Sequence, residues 1–192
     1  MIKFTPEQYD VIEHMQLEDG ILLVGAGAGT GKTFISEAVV RALAPKSTLY
    51  TAFNKAIVAE GEVRFRGLGV TSKTLHALAY SFVKPKRDIN DLAYACIKEK
   101  LPYKDKYAIL TAINDFYVSA SVDMYEFMKE HLETVKLRTI AVSYIDKMIE
   151  EEIDPSFNFM LKYFHLMLAN KSVTCKYDLV ILDEINDTTA VA

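Results

Sequence analysis

The chain has 192 residues, 51% of them apolar, enough to bury one good core and a smaller satellite, so one or two domains are expected. Its 22 basic and 26 acidic side chains leave a formal charge of −4, which excludes a strongly basic nucleic-acid wrapper but permits a local basic groove. Cys96 and Cys175 stand far apart with no metal-ligand pattern, no apolar run approaches the length of a membrane span, and Met1-Ile2-Lys3-Phe4 is no signal-peptide core. A soluble intracellular protein without a disulfide scaffold is expected.

Thr5-Pro6-Glu7-Gln8 reads as a helix start, with Thr5 as N-cap, Pro6 at the first helical position and Gln8 completing a capping box. Tyr9, Val11, Ile12 and Met15 supply the apolar side of that helix. Ile21 to Val24 is short, continuous and apolar, the pattern of a strand buried on both faces of a parallel sheet. A glycine-rich turn follows, and then a helix from about Lys32 to Leu43 with Ile35, Ala38, Val39 and Ala42 on its inner face. Strands are predicted at Thr48 to Ala52 and near Val70, each followed by helical spacing, so β and α alternate.

From Ser81 to Asp178 strand signals nearly vanish and helical patterns take over, at Leu92, Cys96 and Ile97, at Tyr107, Leu110, Ile113 and Tyr117, and at Tyr144, Ile145, Met148 and Ile149. Lys84-Pro85-Lys86-Arg87 suits a solvated boundary, since proline discourages helix at the residue before it. Leu179 to Leu182 returns to a buried strand that ends in Asp183-Glu184. The expected architecture is α/β: a parallel sheet flanked by helices, built from residues 1–80 and 179–192 and interrupted by a helical insertion over 81–178. No internal repeat or low-complexity tract is present.

Ala26-Gly27-Ala28-Gly29-Thr30-Gly31-Lys32-Thr33 lies between the predicted strand and helix, the context that makes a P-loop of a glycine-rich turn. Glycines let the backbone approach closely and aim several N–H groups at phosphate oxygens beside a helix N-terminus. Lys32 would lie against the β and γ phosphates of a nucleoside triphosphate, and the Thr33 hydroxyl would ligate Mg²⁺. The phosphate loop needs a metal partner, and the strand over 179–182 delivers Asp183 and Glu184 to its C-terminal end, where ligands bind in open α/β sheets. Asp183 would hold Mg²⁺ through its water shell and Glu184 would polarise the attacking water.

These segments, in this order, resemble the UvrD/Rep family of superfamily 1 helicases, especially the branch of the F-box DNA helicases. Phe4-Thr5-Pro6-Glu7-Gln8 is similar to the Q motif and Ala26 to Thr33 to motif I, where alanine in first place is usual. Tyr50-Thr51-Ala52-Phe53-Asn54-Lys55-Ala56 is similar to motif Ia and Thr71-Ser72-Lys73-Thr74-Leu75-His76-Ala77-Leu78-Ala79 to motif Ib. Asp183-Glu184-Ile185-Asn186-Asp187 stands as motif II, and Phe159 to Leu168 has the tyrosine- and leucine-rich look of the branch. The resemblance implies a RecA-like motor domain that binds ATP and Mg²⁺, with Gln8 on adenine and single-stranded DNA along Phe53, Asn54, Lys55, Thr74 and His76.

Simpler readings stand beside these. Gln8 also completes the helix cap, through different side-chain atoms. Phe53 is either a core aromatic or a base-stacking platform, and His76 binds either a DNA phosphate or a neighbouring loop. Two positions depart from the family: Asn186 stands where motif II commonly carries glutamine, and Phe34 where several relatives have an arginine near the base.

The chain stops at Ala192, so a second motor domain, or a partner chain supplying one, is expected to complete the site. An arginine finger from that side is worth about 10³–10⁵ in rate, so turnover by this chain alone is expected to be feeble. The readings that remain open are an N-terminal fragment of a DNA-stimulated ATPase, a stand-alone ATP-dependent module that grips DNA or protein, and an unrelated P-loop hydrolase or kinase.

Overall fold

The computed structural model describes residues 4–17, 20–25, 31–90 and 97–183. A reciprocal capping box opens it: the Thr5 amide donates to Gln8 Oε1 at 3.1 Å and the Gln8 amide to Thr5 Oγ1 at 3.4 Å. Two amides that a helix start leaves orphaned are thereby satisfied. In helix α1 (Pro6–Leu17), Val11, Ile12 and Met15 pack on a core as expected. Tyr9 does not: it is 57% exposed and its ring lies edge-on to Phe4, centroids 5.3 Å apart.

Ile21–Val24, expected as a buried strand, is not in the sheet, and Ile21 is 93% exposed. An apolar run fits a buried strand only where neighbours pair with it and cover both faces, and periodicity carries no record of those neighbours. Helix α2 spans Lys32–Leu43 as read from the sequence. Gly31 before it has φ 87°, left-handed backbone that a β-carbon disfavours, and its carbonyl accepts the Ile35 amide at 2.9 Å. Ile35 and Val39 are buried, Val40 joins them, and Ala42 faces solvent instead of the core.

Strands β1 (Thr48–Ala52), β2 (Val70–Thr74) and β3 (Leu179–Leu182) form a parallel sheet in the order β2-β1-β3. Helix α3 (Lys55–Arg64) makes the crossover from β1 to β2, as parallel neighbours require. The distant strand β3 is pinned at its start, where Asp178 Oδ2 accepts the Ser47 amide at 2.8 Å and the Ser47 hydroxyl at 3.1 Å. Sequence patterning had β3 buried throughout, but Val180 is 50% and Leu182 42% exposed. Among the described residues β3 pairs on one side only, with β1.

The chain divides into two compact units, one reaching Thr74 and resuming at Lys176, the other Leu75–Cys175. The first is built around Val39, Val40, Tyr50, Val58, Phe65 and Leu179. The second is helical among its described residues: α4 (Leu75–Val83), α5 (Tyr103–Val118), α6 (Met124–His131), α7 (Val135–Ile149) and α8 (Phe157–Ala169). Asp123, Thr134 and Ser156 cap α6, α7 and α8 through their side-chain oxygens.

Ile113, Tyr117, Tyr144, Ile145 and Met148 are buried as the helical spacing predicted, whereas Tyr107 is exposed; Leu92 and Cys96 lie outside the described residues. Lys162 of α8 is buried in this core. Its ammonium donates to the Ser119 carbonyl at 3.0 Å and to the Ser121 carbonyl, and lies 4.1 Å from the centre of the Phe116 ring. A lysine thus closes the C-terminal end of α5, whose last carbonyls lack intrahelical partners. None of the described helices is long and apolar enough to cross a membrane.

Candidate nucleotide site

Parallel strands place their C-terminal ends along one edge, and here the register sets Ala52 opposite Thr74 and Thr51 opposite Leu182. Asp183 is the next residue after β3, and its amide continues the ladder by donating to the Thr51 carbonyl at 2.9 Å. Its carboxylate is held too: the Tyr50 hydroxyl donates to Asp183 Oδ2 at 2.6 Å. Burial, followed by the hydrogen bond and negative charge of Asp183, raises the Tyr50 pKa above the ordinary phenol value.

The Tyr50 ring is wholly enclosed. Helix α3 crosses it at Gly61, where a β-carbon would come within 2.5 Å of Tyr50 Cε1, and the Phe65 ring packs against it with centroids 5.0 Å apart. In the sequence Tyr50 stands out only as part of the segment similar to motif Ia, and that pattern does not disclose this bond. One signal was available: a tyrosine inside an apolar strand needs a partner for its hydroxyl when buried.

At the other side of the expected site, Gly31, Lys32 and Thr33 form the opening turn of α2 and are half-buried. A β-carbon on Gly31 would lie 3.5 Å from Gln8 Nε2. Gln8 therefore uses Oε1 to cap α1 and places its amide nitrogen beside Gly31. Phe34, the departure from arginine, stacks obliquely on Phe4 with centroids 5.4 Å apart. Ala26, Gly27, Ala28, Gly29, Thr30, Glu184 and Asn186 lie outside the described residues. The Asp183 carboxylate and Thr33 hydroxyl are hard oxygen donors, the kind Mg²⁺ takes alongside waters and substrate phosphates.

The residues read as a DNA path distribute over both units. Phe53 follows β1 and is 54% exposed, so it is no core aromatic. Asn54 is the N-cap of α3, its Oδ1 accepting the Ile57 amide at 2.9 Å, and Lys55 is exposed in the first turn. Thr74 ends β2 and is buried. In the helical unit, His76 of α4 is half-buried and edge-on to Phe157, centroids 5.9 Å apart; burial holds its pKa below the usual histidine value. Lys86 and Arg87, assigned to a solvated boundary, pair with Glu151 and Asp154 at 2.7 and 3.4 Å.

A glycine-led helix beside a parallel sheet with a carboxylate at its C-terminal edge is the frame of a nucleotide-binding α/β domain. The AAA domain family matches residues 8–192, and the chain belongs to that family. F-box DNA helicase 1 of Gallus gallus is 25% identical over 218 residues, covering 98% of this chain and 21% of that protein. F-box DNA helicase protein 1 of Schizosaccharomyces pombe is 38% identical over 86 residues, 44% of this chain and 10% of that protein. The resemblance to UvrD/Rep-like superfamily 1 helicases of the F-box branch is thereby borne out, for a chain that spans about a fifth or less of these relatives. No solved structure matches the chain.

Proposed function

We propose that the chain is the ATP-binding half of a superfamily 1 DNA helicase, an ATPase stimulated by single-stranded DNA that moves on and unwinds DNA once a second motor domain completes it. Residues 1–80 and 179–192 act as the motor domain and 81–178 as its inserted helical subdomain. Residues Ala26 to Thr33 cradle the phosphates, Lys32 neutralises the β and γ groups, and Glu184 orients and deprotonates the attacking water. Thr33 and, through the water shell of the ion, Asp183 would hold magnesium, which when bound would offset charge on the phosphate oxygens. The adenine lies by Gln8, and single-stranded DNA contacts Phe53, Asn54 and Lys55, which are exposed beyond β1; roles for Thr74 and His76 follow from the family resemblance alone.

The observation that carries the reading is the place of Asp183: first residue beyond β3, tied into the ladder at Thr51, on the edge where ligands of parallel sheets bind. Calorimetry with Mg·ATPγS tests it. Lys32→Ala should abolish binding, while Glu184→Gln should bind as the parent does and lose any residual hydrolysis, since it keeps the shape of the side chain without the base. Undiminished binding by Lys32→Ala would refute the phosphate-loop assignment. Labelled single-stranded DNA tests the second half of the claim, and absence of binding both with and without the analogue removes the helicase role.

A further inference from the structure

A short polar contact at this edge comes from a residue to which neither the motifs nor the comparisons give a role. Tyr50 sits in the middle of β1, its backbone in register with Ser72 on one side and Ile181 on the other. Its ring fits the slot that Gly61 leaves in α3 and rests on Phe65. The hydroxyl at the end of this enclosed ring meets Asp183 Oδ2 at 2.6 Å. We propose that Tyr50 is a positioning residue for the metal-binding carboxylate: by engaging Oδ2 it fixes the rotation of Asp183 and so selects which carboxylate lone pairs face the magnesium ion that arrives with the nucleotide.

The proposal rests on Asp183 being the magnesium carboxylate, as argued above. An aspartate has two side-chain torsions, and the backbone bond to Thr51 fixes neither. One bond from a rigid, packed phenol removes that freedom while using only one of about four acceptor sites on the carboxylate. Groups that orient metal ligands in this way commonly matter by about 10–100-fold in metal affinity. A tyrosine that merely satisfied its own buried hydroxyl would affect folding stability and leave the metal dependence of binding alone.

Tyr50→Phe keeps the ring, its slot and its packing on Phe65, and deletes one oxygen. Mg²⁺ is titrated into the full chain at saturating ATPγS, and the affinity for ATPγS is measured separately in EDTA. The expected result is a magnesium half-saturation weakened by roughly 10-fold or more, with the metal-free affinity unchanged. With Mn²⁺ as probe, the electron paramagnetic resonance spectrum of the bound ion should differ between the parent and Tyr50→Phe. Gly61→Ala, which must shift the ring from the α3 side, should weaken magnesium in the same sense.

An unchanged magnesium titration in Tyr50→Phe overturns the proposal, as does an equal loss with and without metal, which marks a purely structural bond. Tighter magnesium binding overturns it as well, because Tyr50 would then compete with the ion. If the parent chain shows no magnesium-dependent nucleotide binding at all, the assignment of Asp183 falls and takes this proposal with it. That outcome is distinct from a parent that binds and a variant that matches it.

Discussion

Glycine at position 61 is a packing requirement rather than a backbone one. It lies within α3, where alanine would ordinarily gain about 1 kcal/mol in helix propensity, but the added methyl would sit 2.5 Å from a rigid ring carbon of Tyr50. Overpacking of this kind costs about 1–3 kcal/mol, so Gly61→Ala is expected to be neutral to destabilising by about 2 kcal/mol in urea melts, and a clear stabilisation would show that the ring is not confined. Lys162 makes the other residue-scale prediction. Burial lowers its pKa from 10.5 to about 8, so between those values the unfolded chain holds a proton that the folded chain has lost, and this contribution to stability rises with pH. Above about 10 the trend is opposed by buried Tyr117, whose raised pKa keeps it protonated while the unfolded phenol ionises from its value of 10.0. Melting followed through the helical signal should therefore show a gain between pH 8 and 10 that is absent in Lys162→Met.

Elements whose ends are fixed by neighbouring residues were legible in the sequence. The Thr5/Gln8 box and the span Lys32–Leu43 depend on contacts three or four residues apart, which is the range a sequence pattern reports. Burial of Ile21–Val24 and of Val180 would have needed partners far along the chain, and Ile21, Leu23, Val24 and Val180 are exposed. The Asp183 position was legible as the end of an apolar run, but its tyrosine partner, 133 residues away, was not. Asn54 shows an element and a candidate site sharing one residue, since its side chain caps α3. Asn54→Ala should lose about 1 kcal/mol of stability, and Asn54→Asp should restore the cap while adding a negative charge that weakens single-strand binding. Phe53→Ala, altering an exposed ring, should leave the melt within about 0.5 kcal/mol and weaken single-strand binding by about 1–3 kcal/mol. A Phe53 variant that binds DNA unchanged would remove the stacking role.

For the whole molecule, the two compact units each have their own core, and the proposed phosphate and metal ligands lie in the first. At 100 times its dissociation constant, Mg·ATPγS adds about 2.7 kcal/mol to whatever unfolds with the site. Hydrogen exchange should slow by about 100-fold in α2, β1 and β3 where it proceeds through unfolding of that unit, and stay unchanged in the cores of α5 and α7. Equal slowing in the helices would mean that both units unfold together. The bond between Ser47 and Asp178, 131 residues apart in sequence, also sets an order of events during synthesis. At about 5–20 residues per second the ribosome needs roughly 7–26 s to make the stretch between them. The helical unit has a head start in which to fold, while one edge of β1 waits for β3, and the Tyr50–Asp183 contact can be among the last to form on a nascent chain.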